Sequence, residues 1–149
     1  MNYEHAQQYL DDIPRFTKKN PMTNTEKFLR YMGDNIDGIA KERRNFAESE
    51  HVIHVAGTNG KGSVCAFLNG ILTQAGYRVG MFTSPHLVTM TERFRINGEC
   101  ISEEMFVEIF LLVKQAVDAG VREQLFDHPT YFEFLTGMAF VLFAREQTD

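Results

Sequence analysis

Apolar positions recur at helical spacing in several stretches of the chain. Early on, Phe28, Leu29 and Met32 share one helix face behind Thr23-x-x-Glu26, a spacing that predicts a capping box and a helix start. A polar, charged stretch at residues 35–50 follows. Residues 51–56, His-Val-Ile-His-Val-Ala, are β-branched and mostly apolar and are broken by Gly57, which predicts a buried parallel strand. Val64, Leu68, Ile71, Leu72 and Ala75 then predict a helix that Gly76 ends as its C′ residue. Residues 77–82 predict a second short strand. Strand, helix and strand within about thirty residues make a βαβ unit, for which a right-handed crossover is expected.

The second half repeats the alternation of sheet and helix. Between residues 91 and 101 the side chains alternate through Arg93, Phe94, Arg95 and Ile96 and then turn at Asn97-Gly98, which predicts a hairpin. Ser102 caps the next helix, with Glu103 and Glu104 in its first turn and a core stripe of Phe106, Ile109, Phe110, Val113 and Val117. A last helix starts at Thr130 and is apolar nearly all round, which predicts burial on most sides. The class expected is α/β: a P-loop-type parallel sheet flanked by helices.

Length and composition narrow the function. The chain has 149 residues, 44% hydrophobic and 23% charged, the values of one globular domain with its own core. The formal charge is −5, so there is no cationic excess to neutralise nucleic-acid phosphates, and an anionic ligand must be held locally. The two cysteines, Cys65 and Cys100, make no disulfide framework. The start lacks the basic and apolar stretches of a signal peptide, and the most apolar run, near residues 134–144, is shorter than a spanning helix. No membrane partner, no nucleic-acid partner and a cytoplasmic location are the expectations.

Between the first strand and its helix lies Gly57-Thr58-Asn59-Gly60-Lys61-Gly62-Ser63. Glycines let a backbone turn tightly and aim successive N–H groups inward, the helix N-terminus adds partial positive charge, and a lysine reaches outer phosphates. These residues read as a phosphate cradle. The loop departs from G-x-x-x-x-G-K-[ST], because Gly62 stands where a hydroxyl residue usually follows the lysine. The plainer alternative is a glycine-rich turn with an exposed lysine.

Four motifs occur together: His54-Val-Ala-Gly-Thr-Asn-Gly-Lys-Gly-Ser63, Phe82-Thr-Ser-Pro-His-Leu87, Glu92-Arg-Phe-Arg-Ile-Asn-Gly98 and Thr130-Tyr-Phe-Glu-Phe134. In order and spacing they resemble folylpolyglutamate synthase and the related dihydrofolate synthase, a family of the Mur ligase superfamily. The resemblance runs over essentially the whole chain. It implies an enzyme that uses ATP to phosphorylate a folate carboxylate and lets the amino group of L-glutamate attack the acyl phosphate. ATP, a folate derivative and L-glutamate are the partners it implies, and Mg²⁺ is the cofactor.

The same resemblance assigns residues. Lys61 and Glu133 take the catalytic roles, and residues 57–63 hold ATP. The missing hydroxyl beside Lys61 is replaced by Ser84, which with Glu133 supplies oxygen ligands to Mg²⁺, a cation that prefers such ligands and retains waters. The folate loop comprises Thr83, Ser84, Pro85, His86, Leu87, Arg93 and Arg95. Each has a plainer alternative. Thr130-x-x-Glu133 is itself a capping box, Ser84 before Pro85 suits a turn, His86 suits a hydrogen-bonded loop residue, and Arg93 and Arg95 suit a strand with one solvated face. His5, His51, His54 and His128 show no metal-ligand spacing.

Family members are much longer. The resemblance therefore implies that residues 1–149 are the N-terminal portion of the ATP-binding domain, partial relative to a Mur ligase central domain, without the glutamate-binding domain and inactive alone. Two other readings stand beside it: a phosphate-binding module complete in itself, and an apolar-faced half that serves assembly. An uncovered sheet edge predicts self-association.

Overall fold

The computed structural model describes residues 1–14, 20–39 and 51–149. Its elements are α1 (Tyr3–Asp12), α2 (Met22–Asn35), α3 (Lys61–Gln74), β1 (Gly80–Phe82), a 3-10 turn (Met90–Arg93), β2 (Phe94–Ile96), β3 (Glu99–Cys100), α4 (Glu103–Arg122) and α5 (Tyr131–Arg145). Part of the polar stretch expected before residue 51, residues 40–50, lies outside the described residues. Among the described residues no helix is long and apolar enough to cross a membrane.

Packing follows the apolar stripes. α4 lies against α1, α2 and α5, and α2 also packs on α5. Phe28, Phe106, Phe110 and Phe134 are fully buried at the centre. Edge-on aromatic pairs, a favoured arrangement, join the layers: Tyr9 meets Phe110 at 5.4 Å, and Phe94 of β2 meets Phe106 of α4 at 5.7 Å. α5 buries Phe134, Leu135, Met138, Val141 and Leu142 among others, as its all-round apolar character predicts, while Phe132 stays exposed.

The sheet is small. β1 pairs antiparallel with β2, Met81 opposite Arg95, and β2 pairs antiparallel with β3, Arg95 opposite Cys100. The hairpin turn at Asn97-Gly98 has both residues at positive φ, 50° and 86°, as a two-residue primed turn requires. Gly80 lets β1 approach α5. A Cβ there would sit 2.6–2.7 Å from ring atoms Cγ and Cε1 of Phe143.

Several expectations need correction. Residues 51–56 form no strand among the described residues, and Val52 and Ile53 are 51% and 62% exposed, so the expected buried parallel strand does not form. With it goes the parallel pairing of the βαβ unit: β1 takes its partners from the antiparallel hairpin that follows it in sequence. The helix after the glycine-rich loop forms, but it has no buried residue, and Val64 and Ile71 are exposed. Thr23 does not cap α2, which begins at Met22 with Pro21 at the N-cap. What stands is a mixed helix and small-sheet arrangement, a partial α/β domain.

Candidate phosphate and substrate site

The glycine-rich loop feeds directly into α3. Gly60 is the N-cap at φ 78°, a left-handed conformation that favours glycine, and no side chain caps the helix. The first intrahelical bond runs from Val64 N–H to Gly60 O at 3.0 Å. The N–H groups of Lys61, Gly62 and Ser63 therefore have no acceptor within the helix. Lys61 folds back over the loop, its Nζ donating to Gly57 O at 2.6 Å and to Thr58 O at 3.4 Å. Residues 57–63 are all exposed. The arrangement presents three backbone donors, a helix dipole and an ammonium group on one turn, which suits a polyanion.

At the other end of α3, Gly76 N–H bonds to Thr73 O and Tyr77 N–H to Leu72 O, both at 3.1 Å, with Gly76 at φ 94°. This is the Schellman closure expected of a C′ glycine.

The second predicted loop leaves β1 at Phe82. Thr83 N–H donates to Arg93 O at 3.0 Å, and the Ser84-Pro85 peptide is cis. Ser84, Pro85 and Leu87 are exposed, and His86 is half-buried. Glu92 shapes what comes next. Its carboxylate accepts the N–H groups of Leu87, Val88 and Thr89 at 2.8–2.9 Å, and the bond from Thr89 is half of a capping box for the 3-10 turn. These backbone donors hold its pKa well below the usual carboxylate range, at about 2. Arg93 is buried, its Nε donating to His86 Nδ1 at 2.8 Å and its guanidinium standing 5.8 Å from the centre of the Tyr131 ring. Arg95 is half-buried, its Nε bonded to Glu92 O at 3.3 Å.

Glu133 lies in the first turn of α5 and closes the capping box with Thr130, accepting Thr130 N–H at 2.7 Å. Asn20 Nδ2 donates to Oε2 at 2.9 Å and Thr25 Oγ1 donates to Oε1. Burial opposes its charge, but the hydrogen bonds from Thr25, Thr130 and Asn20 outweigh that and lower its pKa. The capping reading of Glu133 therefore describes what the side chain does in this structure. Metal binding stays compatible with it, because Oε1 accepts a single described hydrogen bond and an ionised carboxylate oxygen has two lone pairs. Among the described residues no group of three His, Cys, Asp or Glu converges on a metal position. An open hollow of about 460 Å³ is lined by residues including Asn24, Lys27, Phe126 and His128 and by none of the predicted site residues.

Sequence reasoning overlooked Asn20, Thr25 and Glu92. Glu92 had a local signal, since Thr89-x-x-Glu92 has capping-box spacing. Asn20 and Thr25 had none, because their partner lies more than a hundred residues on in the chain.

No protein-family model matches the chain. Among curated proteins, a folylpolyglutamate synthase of Arabidopsis thaliana is 48% identical over 99 residues, which are 66% of this chain and 17% of that protein. The mitochondrial folylpolyglutamate synthase of Homo sapiens is 38% identical over 141 residues, 95% of this chain and 23% of that protein. Among solved structures, the folylpolyglutamate synthetase of Lactobacillus casei superposes with a TM-score of 0.83 at 30% identity, covering all of this chain and 35% of that one. An FPGS–AMPPCP–folate complex superposes with a TM-score of 0.85 at 30% identity, covering all of this chain and 34% of that one. The chain thus spans about a fifth of the length of the curated relatives it matches and about a third of the solved chains.

Loop, helix and small sheet together define a partial α/β domain of the kind these ligase structures contain. Over the part of those proteins that it spans, the chain belongs to the folylpolyglutamate synthase family.

Proposed function

We propose that this chain supplies the phosphate cradle and part of the folate site of an ATP-dependent ligase that adds L-glutamate to a folate. The observation that carries the reading is the turn at Gly60, which delivers three unsatisfied N–H groups and Lys61 to one point. In the reaction a folate carboxylate oxygen takes the γ-phosphoryl group and ADP leaves. The amino group of glutamate then attacks the acyl carbon, and phosphate leaves as the amide forms. Lys61 would exchange its bonds to Gly57 and Thr58 carbonyls for phosphate oxygens and stabilise charge developing on them. Arg95 is the residue best placed by its partial exposure to meet a substrate carboxylate.

Ser84 and Glu133 fit Mg²⁺ by donor chemistry, a hydroxyl and an ionised carboxylate with a lone pair to spare. When bound, the ion would neutralise phosphate charge during transfer. Glu133 would hold its position through Thr25 and Asn20, and Ser84 through the loop pinned at Thr83 and His86.

The test is substitution of Lys61. In a full-length enzyme carrying this sequence, Lys61→Ala should lower kcat for folate- and glutamate-dependent ADP formation by about 100-fold or more. An undiminished kcat would overturn the reading. The 149-residue chain on its own is expected to form no glutamyl amide, since the chemistry needs nucleotide, carboxylate and amine held together to within about an ångström. The proposed compartment is the cytoplasm, and because the human relative is named as mitochondrial, fractionation against a mitochondrial marker decides it.

A further inference from the structure

Ser84 and Glu133 are far apart in sequence, yet one side chain touches the segments that carry both. Arg93 is 6% exposed. Its backbone carbonyl accepts Thr83 N–H at 3.0 Å and its Nε donates to His86 Nδ1 at 2.8 Å, so it grips the loop on either side of Ser84. Its guanidinium also faces the ring of Tyr131, the first residue of α5 and two positions before Glu133, at 5.8 Å. Among the described residues no ion pair reaches Arg93. A cation buried without a carboxylate costs free energy, and the planar guanidinium can hold an acceptor and an aromatic face in fixed directions at once.

We propose that Arg93 is a positioning residue that fixes the loop at residues 83–87 against the first turn of α5, so that Ser84 and Glu133 are presented together, and that it does not itself contact the folate. The role of the pair Ser84 and Glu133 rests on the ligase reading above; the mechanical link does not.

Hydrogen–deuterium exchange on the 149-residue chain at neutral pH tests the link without any catalysis. In Arg93→Met, amides at residues 83–89 and at the first turn of α5 should exchange about tenfold faster, with those of α4 unchanged. His86→Ala cuts the same bond from a half-buried loop and should free residues 83–89 alone; it carries the test if Arg93→Met does not fold. Unchanged exchange at residues 83–89 in these variants, or acceleration spread through α4, would overturn the proposal. In a full-length enzyme, Arg93→Lys should lower kcat about tenfold with the folate KM within about twofold. The reverse, a retained kcat with a folate KM raised about tenfold, would make Arg93 a substrate contact and overturn it as well. A wild-type enzyme without folate- and glutamate-dependent ADP formation would sink the ligase reading, and the exchange measurement would still decide the link.

Discussion

Glu92 shows how one carboxylate can set the shape of a loop. Leu87 and Val88 are 91% and 83% exposed, and such a turn would ordinarily fray. Three backbone donors converge on Glu92 and keep the segment folded back on the 3-10 turn. Because its pKa in the folded chain, about 2, lies below the ordinary value of 4.5, the stabilisation is complete above pH 4.5. It is lost as pH falls from 4.5 through about 2. In the folded chain the amide chemical shifts of Leu87, Val88 and Thr89 should therefore hold steady well below pH 4.5 and move together towards random-coil positions only as the pH approaches about 2. Glu92→Gln should abolish that titration and shift the same three signals at neutral pH; shifts that titrate unchanged in the variant would refute the assignment. Glu133 titrates in the same direction, since Thr25, Thr130 and Asn20 favour its charged form over the opposing effect of burial.

Among elements, close approach of β1 to α5 depends on a missing side chain. Glycine is poorly suited to a strand interior, so replacing Gly80 by alanine would improve the local preference. Packing opposes it: the new methyl would meet Cγ and Cε1 of Phe143 at 2.6–2.7 Å. Overpacking of this kind costs about 1–3 kcal/mol, more than the strand preference returns. Gly80→Ala should thus lower the urea midpoint without changing its slope, and a raised midpoint would show that the ring moves freely. α3 lies at the opposite extreme. It buries no residue, and Asn69 Oδ1 and Thr73 Oγ1 are shut from solvent without a described hydrogen-bond partner, which places this helix at the low-stability end of the fold.

For the molecule as a whole, the exposed apolar surface is the dominant feature. Val52, Ile53, Val64, Phe67, Ile71 and Tyr77, all within one stretch of the chain, are between 45% and 71% exposed. Exposed large apolar side chains in this number favour association. The 149-residue chain should therefore self-associate, with an apparent mass by light scattering that rises with concentration. Phe67→Ser combined with Ile71→Lys should reduce that rise while leaving the helical core intact, because both side chains point away from it. A concentration-independent monomer mass in the parent chain would show that these residues are covered in some other way.

Much of this was legible in the chain itself. The Asn97-Gly98 hairpin, the Ser102 and Thr130 caps, the Gly76 helix stop and the stripes of α4 and α5 depend on contacts within a few residues, and local sequence dictates such contacts. The glycine-rich loop and the helix start behind it were legible for the same reason: glycines, lysine and helix start are consecutive. Pairing and partnership were not. Residues 51–56 have the composition of a buried strand, but a strand is buried only when neighbours cover both faces, and among the described residues no strand pairs with this segment. Nor could composition show that Arg93 would lie beneath the Ser84 loop, or that Asn20 and Thr25 would secure Glu133. Those positions are decided by α2 and the residues just before it, the 3-10 turn and α5 converging from distant parts of the chain, where close packing leaves a buried polar group only the partners that the fold brings to it.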